Sequence, residues 1–259
     1  MEIANMQERY NQYVTNSYNI WLERFTWNGL YNETPQNAIS IVNFEKETHS
    51  FQNMPVMDCA NSFYKVVSKM ADKYVKWCKT KDVYSEEECS NLRNFFMGCV
   101  GEYFFMILLQ EVKCMLIKNK VGNLERFDFD NICPRLNGED DYGVDLTGMV
   151  SRKNKYYNCV LQVKFWNPYI DTMFTNKIAA GVHSDAICNG FIDNEDNCNV
   201  IVCWLGDTRK VSKYLKANKK LYKHIVFIDK EALDNSINHT MPQFWMNLHT
   251  RLANIELFK

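Results

Sequence analysis

Three polar side chains interrupt two neighbouring apolar runs where a purely structural strand would not need them. Asp145 falls inside GVDLTGMV (Gly143–Val150), and Gln162 and Lys164 fall inside LQVKFW (Leu161–Trp166). Strand side chains alternate between faces. Val144, Leu146 and Gly148 therefore share one face and Asp145 and Thr147 the other, while Leu161, Val163 and Phe165 oppose Gln162 and Lys164. A four-residue turn at Arg152–Lys155 would set Ser151 against Tyr156 and hence Asp145 against Gln162. Lys164 would then lie on the diagonal, about 7–8 Å away between backbones. Leu146 would meet Leu161 and Val144 would meet Val163 on the apolar face. A five-residue turn would drive Asp145 among leucines, so burial selects the first register.

A fourth group lies upstream. Glu102 is the single charge between Phe95 and Leu109, and its helical neighbours Gly98, Cys99, Phe105 and Met106 cannot neutralise it. Burying an unpaired carboxylate costs several kcal/mol, so a buried Glu102 calls for Lys164 or a metal ion. Two carboxylates, a strand amide with a neighbouring backbone carbonyl, and an ammonium form a set of hard oxygen donors beside one cation. Such donors suit Mg2+ or Mn2+, which keep several waters and favour phosphate substrates. The ammonium would orient or help deprotonate a water. The set points to phosphodiester hydrolysis.

The elements that must position these groups are visible in outline. CANSFYKVVSKMADKYVKWCK (Cys59–Lys79) places Phe63, Val66, Val67, Met70, Tyr74 and Trp77 at helical spacing, which predicts an amphipathic helix packed on a core. Ser85 followed by Glu86, Glu87 and Glu88 forms a capping box, opening a helix expected to run to about Lys118. Gly122–Gly138 is expected to be irregular. After the two strands, Asp171–Gly190 has helical character, Asn199–Leu205 reads as a strand, Arg209–Lys220 as a basic helix and His224–Asp229 as a strand. A terminal helix is expected over Pro242–Asn254. The order predicts an α/β fold with a mixed sheet behind a helical N-terminal part. Residues 1–57 show no strong period.

The run Gly101-Glu102, then GVDLTG (Gly143–Gly148), then LQVKFW (Leu161–Trp166) resembles the PD-(D/E)xK nuclease superfamily, and within it the Mrr-like restriction endonuclease branch. DxxG or QxK alone carries little. Here the two are separated by 16 residues, on strands with matching faces and after a helical Glu. The resemblance covers roughly residues 96–230 and implies a restriction-endonuclease-like mixed β-sheet core flanked by helices. It implies Asp145 as principal metal ligand, Gln162 in the place of the second acidic ligand, and the Val163 carbonyl completing the inner shell. Lys164 would act on the attacking water, and Glu102 would assist metal binding or lysine positioning. That branch typically carries Gln at position 162 of the present chain. A neutral amide binds a cation more weakly than a carboxylate, which points to one ion rather than two. Asp140 and Asp141 are spare ligands or solvated loop residues.

The reading is a Mg2+- or Mn2+-dependent endodeoxyribonuclease acting in restriction or defence, with residues 91–259 as the nuclease domain. Residues 1–90 would recognise DNA, a partner or a second subunit. Cutting both strands calls for two sites, so a homodimer is expected, with an ATPase or methyltransferase as a candidate partner subunit. The alternatives are a junction resolvase, repair nuclease or RNase of the same fold, and a non-catalytic nucleic-acid-binding or assembly protein. A simple cross-strand salt bridge, worth at most about 1 kcal/mol when exposed, would account for Asp145 and Lys164 but not for Glu102.

Bulk properties narrow the setting. The formal net charge of −1 predicts no global attraction to nucleic acid, so phosphates must meet a local patch. Candidates are Arg152, Lys153 and Lys155 in the hairpin turn, and Lys213 and Lys216 in the basic helix; a solvated face explains them equally. The ten cysteines are scattered without a CxxC pair and read as reduced core residues of a cytoplasmic protein. A zinc site from His183, Cys188, Cys198 and Cys203 fits no common spacing. The N-terminus lacks a signal peptide's basic start and apolar middle, and Phe95–Leu109 is too short to cross a bilayer. A soluble protein is expected.

Overall fold

The computed structural model describes residues 41–80, 85–119, 122–134, 144–165, 200–205, 225–237 and 239–253. The order is helix α1 (Ile41–Thr48), a short 3-10 helix (His49–Asn53), α2 (Val56–Thr80) and α3 (Glu86–Val112). Strands β1 (Cys114–Lys118), β2 (Leu124–Pro134), β3 (Leu146–Arg152), β4 (Lys155–Lys164), β5 (Val200–Trp204) and β6 (Ile225–Ile228) follow. Helices α4 (Lys230–Ser236) and α5 (Pro242–Ala253) end the described chain.

The six strands form one sheet in sequential order. The first three joins are antiparallel and the last two parallel. This is the mixed α/β architecture that the alternation of patterns predicts. The expected segments Asp171–Gly190 and Arg209–Lys220, with Lys213 and Lys216, lie outside the described residues, as do Asp140 and Asp141.

Helix α3 is the centre of the molecule. Its capping box forms as expected: Ser85 Oγ accepts the Glu88 N–H at 3.2 Å and Glu88 Oε2 accepts the Ser85 N–H at 2.7 Å. Seven consecutive residues, Tyr103–Leu109, are buried. A helix apolar all round belongs inside a core rather than against one. On one side α2 packs through Phe63, stacked on Phe104 with centroids 5.0 Å apart. On another, Phe244 and Trp245 of α5 meet Phe104 edge-on at 5.3 and 6.3 Å. Phe165, just past β4, closes the cluster against Phe63 at 5.7 Å. One apolar core thus joins residues before position 90 to the sheet.

Two strands depart from expectation. The helix stops at Val112, where Lys113 adopts a left-handed conformation (φ 56°) and donates its N–H to the Leu109 carbonyl at 3.0 Å. Cys114–Lys118 then forms β1 instead of continuing the helix. Leu124–Pro134, expected to be irregular, is the longest of the described strands. Phe127 and Phe129 are buried on one side of it, with Arg126, Asp128 and Asp130 between and around them. That alternation is a strand's period; the charged residues belong to its outer face. Helix α4 covers the exposed edge of β1, where Ser236 Oγ accepts the Leu116 N–H at 2.8 Å and Lys118 pairs with Glu231. Covered edges do not template aggregation. No described helix is long and apolar enough to cross a membrane.

Candidate active site

The hairpin register is the expected one, Leu146↔Leu161 through Arg152↔Lys155, but the loop is shorter than a four-residue connection. Arg152 and Lys155 pair directly, and only Lys153 and Asn154 form the turn, both with positive φ (52° and 61°). Two left-handed residues make the turn type whose twist matches the strands.

The larger departure is at Asp145. The regular ladder ends at Leu146, and Asp145 does not sit directly opposite Gln162. Its backbone N–H is donated to the Leu161 carbonyl at 3.0 Å, so Asp145 and Leu146 both address Leu161 in the manner of a β-bulge. Its Oδ2 accepts the Val163 N–H at 2.5 Å. A bulge re-aims a side chain, and here it turns the carboxylate along the strand edge onto the backbone of β4.

The physical reason lies in β4's change of partner. Beyond Leu161, β4 is bonded to β5 alone, through Gln162↔Val202, Val163↔Cys203 and Lys164↔Trp204. A residue's N–H and C=O point to the same side of a strand. Leu161 faces β3, so the N–H and C=O of Val163 face the edge that β3 has vacated. The Asp145 carboxylate takes that N–H, and the Val163 carbonyl shares the same edge.

Gln162 is 4% exposed, and its Oε1 has no hydrogen-bond partner among the described residues. Buried amide oxygens are nearly always bonded. Asp145 and Lys164 are half-buried. The structure therefore brings together Asp145, Gln162, Val163 and Lys164 at the end of β4.

Glu102 is placed at this end by close packing. A Cβ on Gly101 would lie 2.3 Å from Phe165 Cβ, so glycine is required for α3 to approach the residue that follows Lys164. Glu102 itself is half-buried rather than buried, and its Oε1 lies 4.0 Å from where a Cβ on Gly98 would stand. A half-buried carboxylate reaches solvent, so the burial argument for a compensating cation does not hold for Glu102. Its assignment rests on the resemblance and on this placement.

The donor set fits a hard divalent ion. Among the described residues no three His, Cys, Asp or Glu side chains converge. Of the zinc candidates, His183, Cys188 and Cys198 lie outside the described residues. Cys203 is buried in β5, its thiol pushed well above the usual range by burial first and by the charge of Asp145 second. Mg2+ is typically held through one or two carboxylates with further oxygens from water and substrate. Asp145, the unpartnered Gln162 amide oxygen and the Val163 carbonyl provide that chemistry.

The turn residues divide. Arg152 donates from Nε to Glu125 Oε2 at 2.7 Å and lies over the Phe127 ring at 5.5 Å. Bonds from Asn119 first and Arg152 second hold the Glu125 carboxyl below its ordinary range. Arg152 is thus built into the sheet. Lys153 and Lys155 are exposed.

Comparison with family models, curated proteins and solved structures returned no match.

Proposed function

We propose that the chain is a metal-dependent endodeoxyribonuclease of restriction-like fold, hydrolysing DNA phosphodiester bonds in a defence role. The observation that carries this reading is the Asp145 carboxylate bonded to the Val163 backbone at the edge vacated by β3, together with the buried, unpartnered amide oxygen of Gln162, the residue before Val163. A protein with no use for that oxygen would gain by bonding or replacing it.

Asp145, Gln162 and the Val163 carbonyl would hold a Mg2+ or Mn2+ ion. The ion, when bound, stabilises negative charge on the scissile phosphate and favours ionisation of a nearby water. An ionised carboxylate offers about four lone-pair sites, so the bond from the Val163 N–H does not by itself preclude an ion at Asp145. The Val163 N–H fixes its orientation. Lys164, one residue beyond Val163, presents its ammonium to orient the attacking water or take part in its deprotonation. Glu102 would assist in positioning Lys164 from the helix side. Two copies of the chain would supply the two sites that cleavage of both strands requires.

The neutral amide at 162 favours one rival, a nucleic-acid-binding protein that has kept the fold and lost the chemistry. Incubation of supercoiled plasmid with Mg2+ or Mn2+ separates the two. Wild type is expected to nick and linearise it, and Asp145→Ala and Lys164→Ala to lose this by at least about a hundredfold, the scale typical of a general acid–base group. Wild type that binds DNA but leaves the plasmid intact in both metals sinks the hydrolytic reading. RNA and a four-way junction as parallel substrates would expose a different nuclease class.

A further inference from the structure

Helix α2 has a second side that the core does not use. Phe63, Val67, Met70 and Ala71 face inward and are buried. On the outside, Lys65, Lys69, Lys73 and Lys76 are all exposed and line a groove of about 460 Å3 together with Tyr64, Ser68 and Asp72. The steps of four, four and three residues keep the ammoniums on one stripe of the helix.

A merely solvated face mixes both signs evenly, and this one is predominantly basic. From Lys65 to Lys79 the helix carries five lysines and one acid, Asp72. Asp72 is bonded to Arg93 Nε at 2.7 Å, and Arg93 also donates to Ser68 Oγ at 2.8 Å, so a cation outside the helix answers the one negative charge. Glu47 lies 3.3 Å from Lys69 in an exposed pair, which a phosphate could displace. Like charges one turn apart destabilise a helix. The stripe therefore costs local helix stability, in a chain whose net charge is −1.

Its position gives the stripe a use. Tyr64 heads the groove, and its ring packs on Phe165 with centroids 5.4 Å apart. Phe165 directly follows Lys164 and is the residue against which Gly101 fits. The groove thus begins where the candidate active site ends. From Lys65 to Lys76 the helix advances about 16 Å, roughly the axial length of five base pairs.

We propose that the outer face of α2, through Lys65, Lys69, Lys73 and Lys76, grips the DNA phosphate backbone where the duplex leaves the Asp145–Lys164 site. The choice of DNA rests on the hydrolytic reading above; the polyanion surface rests on α2 itself. The contacts carry no base information, since ammonium–phosphate pairs position a duplex without reading it.

The test is binding of the full chain to a fluorescently labelled 30-base-pair duplex, by anisotropy across a salt series and without divalent metal. Lys73→Ala with Lys76→Ala removes two exposed charges at favourable helix positions, so the fold is kept, and circular dichroism checks it. Two lost phosphate contacts should weaken binding on the order of thirtyfold at 150 mM salt and reduce the salt slope by about 1.8. Lys73→Arg with Lys76→Arg should bind as wild type. Wild-type affinity and slope in the double alanine variant would overturn the proposal, as would failure of the wild type to bind the duplex. Loss of binding to phosphatidylserine vesicles with duplex binding unchanged would also overturn it, assigning the stripe to a membrane surface. An uncut plasmid together with lysine-dependent binding refutes hydrolysis and leaves the surface standing; cleavage with lysine-independent binding does the reverse.

Discussion

At Gln162 the demands of stability and of chemistry pull apart. A buried amide oxygen without a partner forfeits about 1–3 kcal/mol relative to a satisfied or apolar group. Gln162→Met, close in volume and without the amide, should raise stability by about 1 kcal/mol, or about 2–4 °C in Tm for a chain of this size, while abolishing metal-dependent cleavage. Thermal unfolding beside the plasmid assay checks both halves. A variant that is less stable would show the glutamine to be structural. Gln162→Glu tests the same atom from the other side, because a carboxylate binds Mg2+ more tightly than an amide. The metal concentration for half-maximal cleavage should fall, and the metal-free protein should lose stability from the added buried charge. An unchanged metal dependence would place the cation away from residue 162.

At the scale of elements, what the sequence reveals depends on whether a pattern is local. The hairpin register was legible because a slip of one residue would exchange Leu146, Leu161 and Val163 for polar groups on the buried face. The start of α3 was legible because Ser85 and Glu88 satisfy each other three residues apart. The end of α3 was not, since Cys114–Ile117 is apolar enough for helix or strand and the change falls on the left-handed Lys113. β2 was obscured by its charges, although Phe127 and Phe129 kept the two-residue period. The bulge at Asp145 had no local signal at all; it arises because β4 trades β3 for β5 beyond Leu161. Likewise, Lys65 and Lys73 stand in plain view, but only the packing of Tyr64 on Phe165 connects them to a site. The two glycines of α3 give this scale its prediction. Gly101→Ala puts a methyl 2.3 Å from Phe165 Cβ, an atom that cannot swing aside, and should cost about 1–3 kcal/mol and lower cleavage by displacing the helix from β4. Gly98→Ala meets nothing nearer than 4.0 Å and should instead stabilise by about 0.5–1 kcal/mol. Urea unfolding of the pair measures the contrast; equal effects would mean that α3 does not need the close approach at Gly101.

Across the whole molecule, the two ends of the described chain are tied by a buried polar contact that makes stability depend on pH. His249 of α5 is 7% exposed, and its Nε2 lies 2.7 Å from Thr48 Oγ1 of α1, 201 residues away in sequence. Thr48 donates its one hydroxyl proton to the Phe44 carbonyl at 2.8 Å, so the imidazole must be the donor to Thr48, neutral and protonated on Nε2. Phe44 packs edge-on against the ring at 5.5 Å. Burial, the largest influence, pushes the His249 pKa below its ordinary value, against a smaller opposing pull from Glu45. The unfolded chain therefore takes up a proton on this residue before the folded one does. Where the unfolded state binds more protons, stability rises with pH. Stability should accordingly fall as pH drops through the ordinary imidazole range near about 6.5 and level off once the folded residue also titrates. Glu125, held low by Asn119 and Arg152, gives its own loss in a separate window below the ordinary carboxylate range. Urea midpoints between pH 8 and pH 5 should decline in the wild type and flatten in His249→Gln, which is less stable at pH 8 but has no proton to gain. A wild-type midpoint constant over that range would mean that α1 and α5 open without exposing the ring, and that the contact between residues 48 and 249 is not part of the cooperative core.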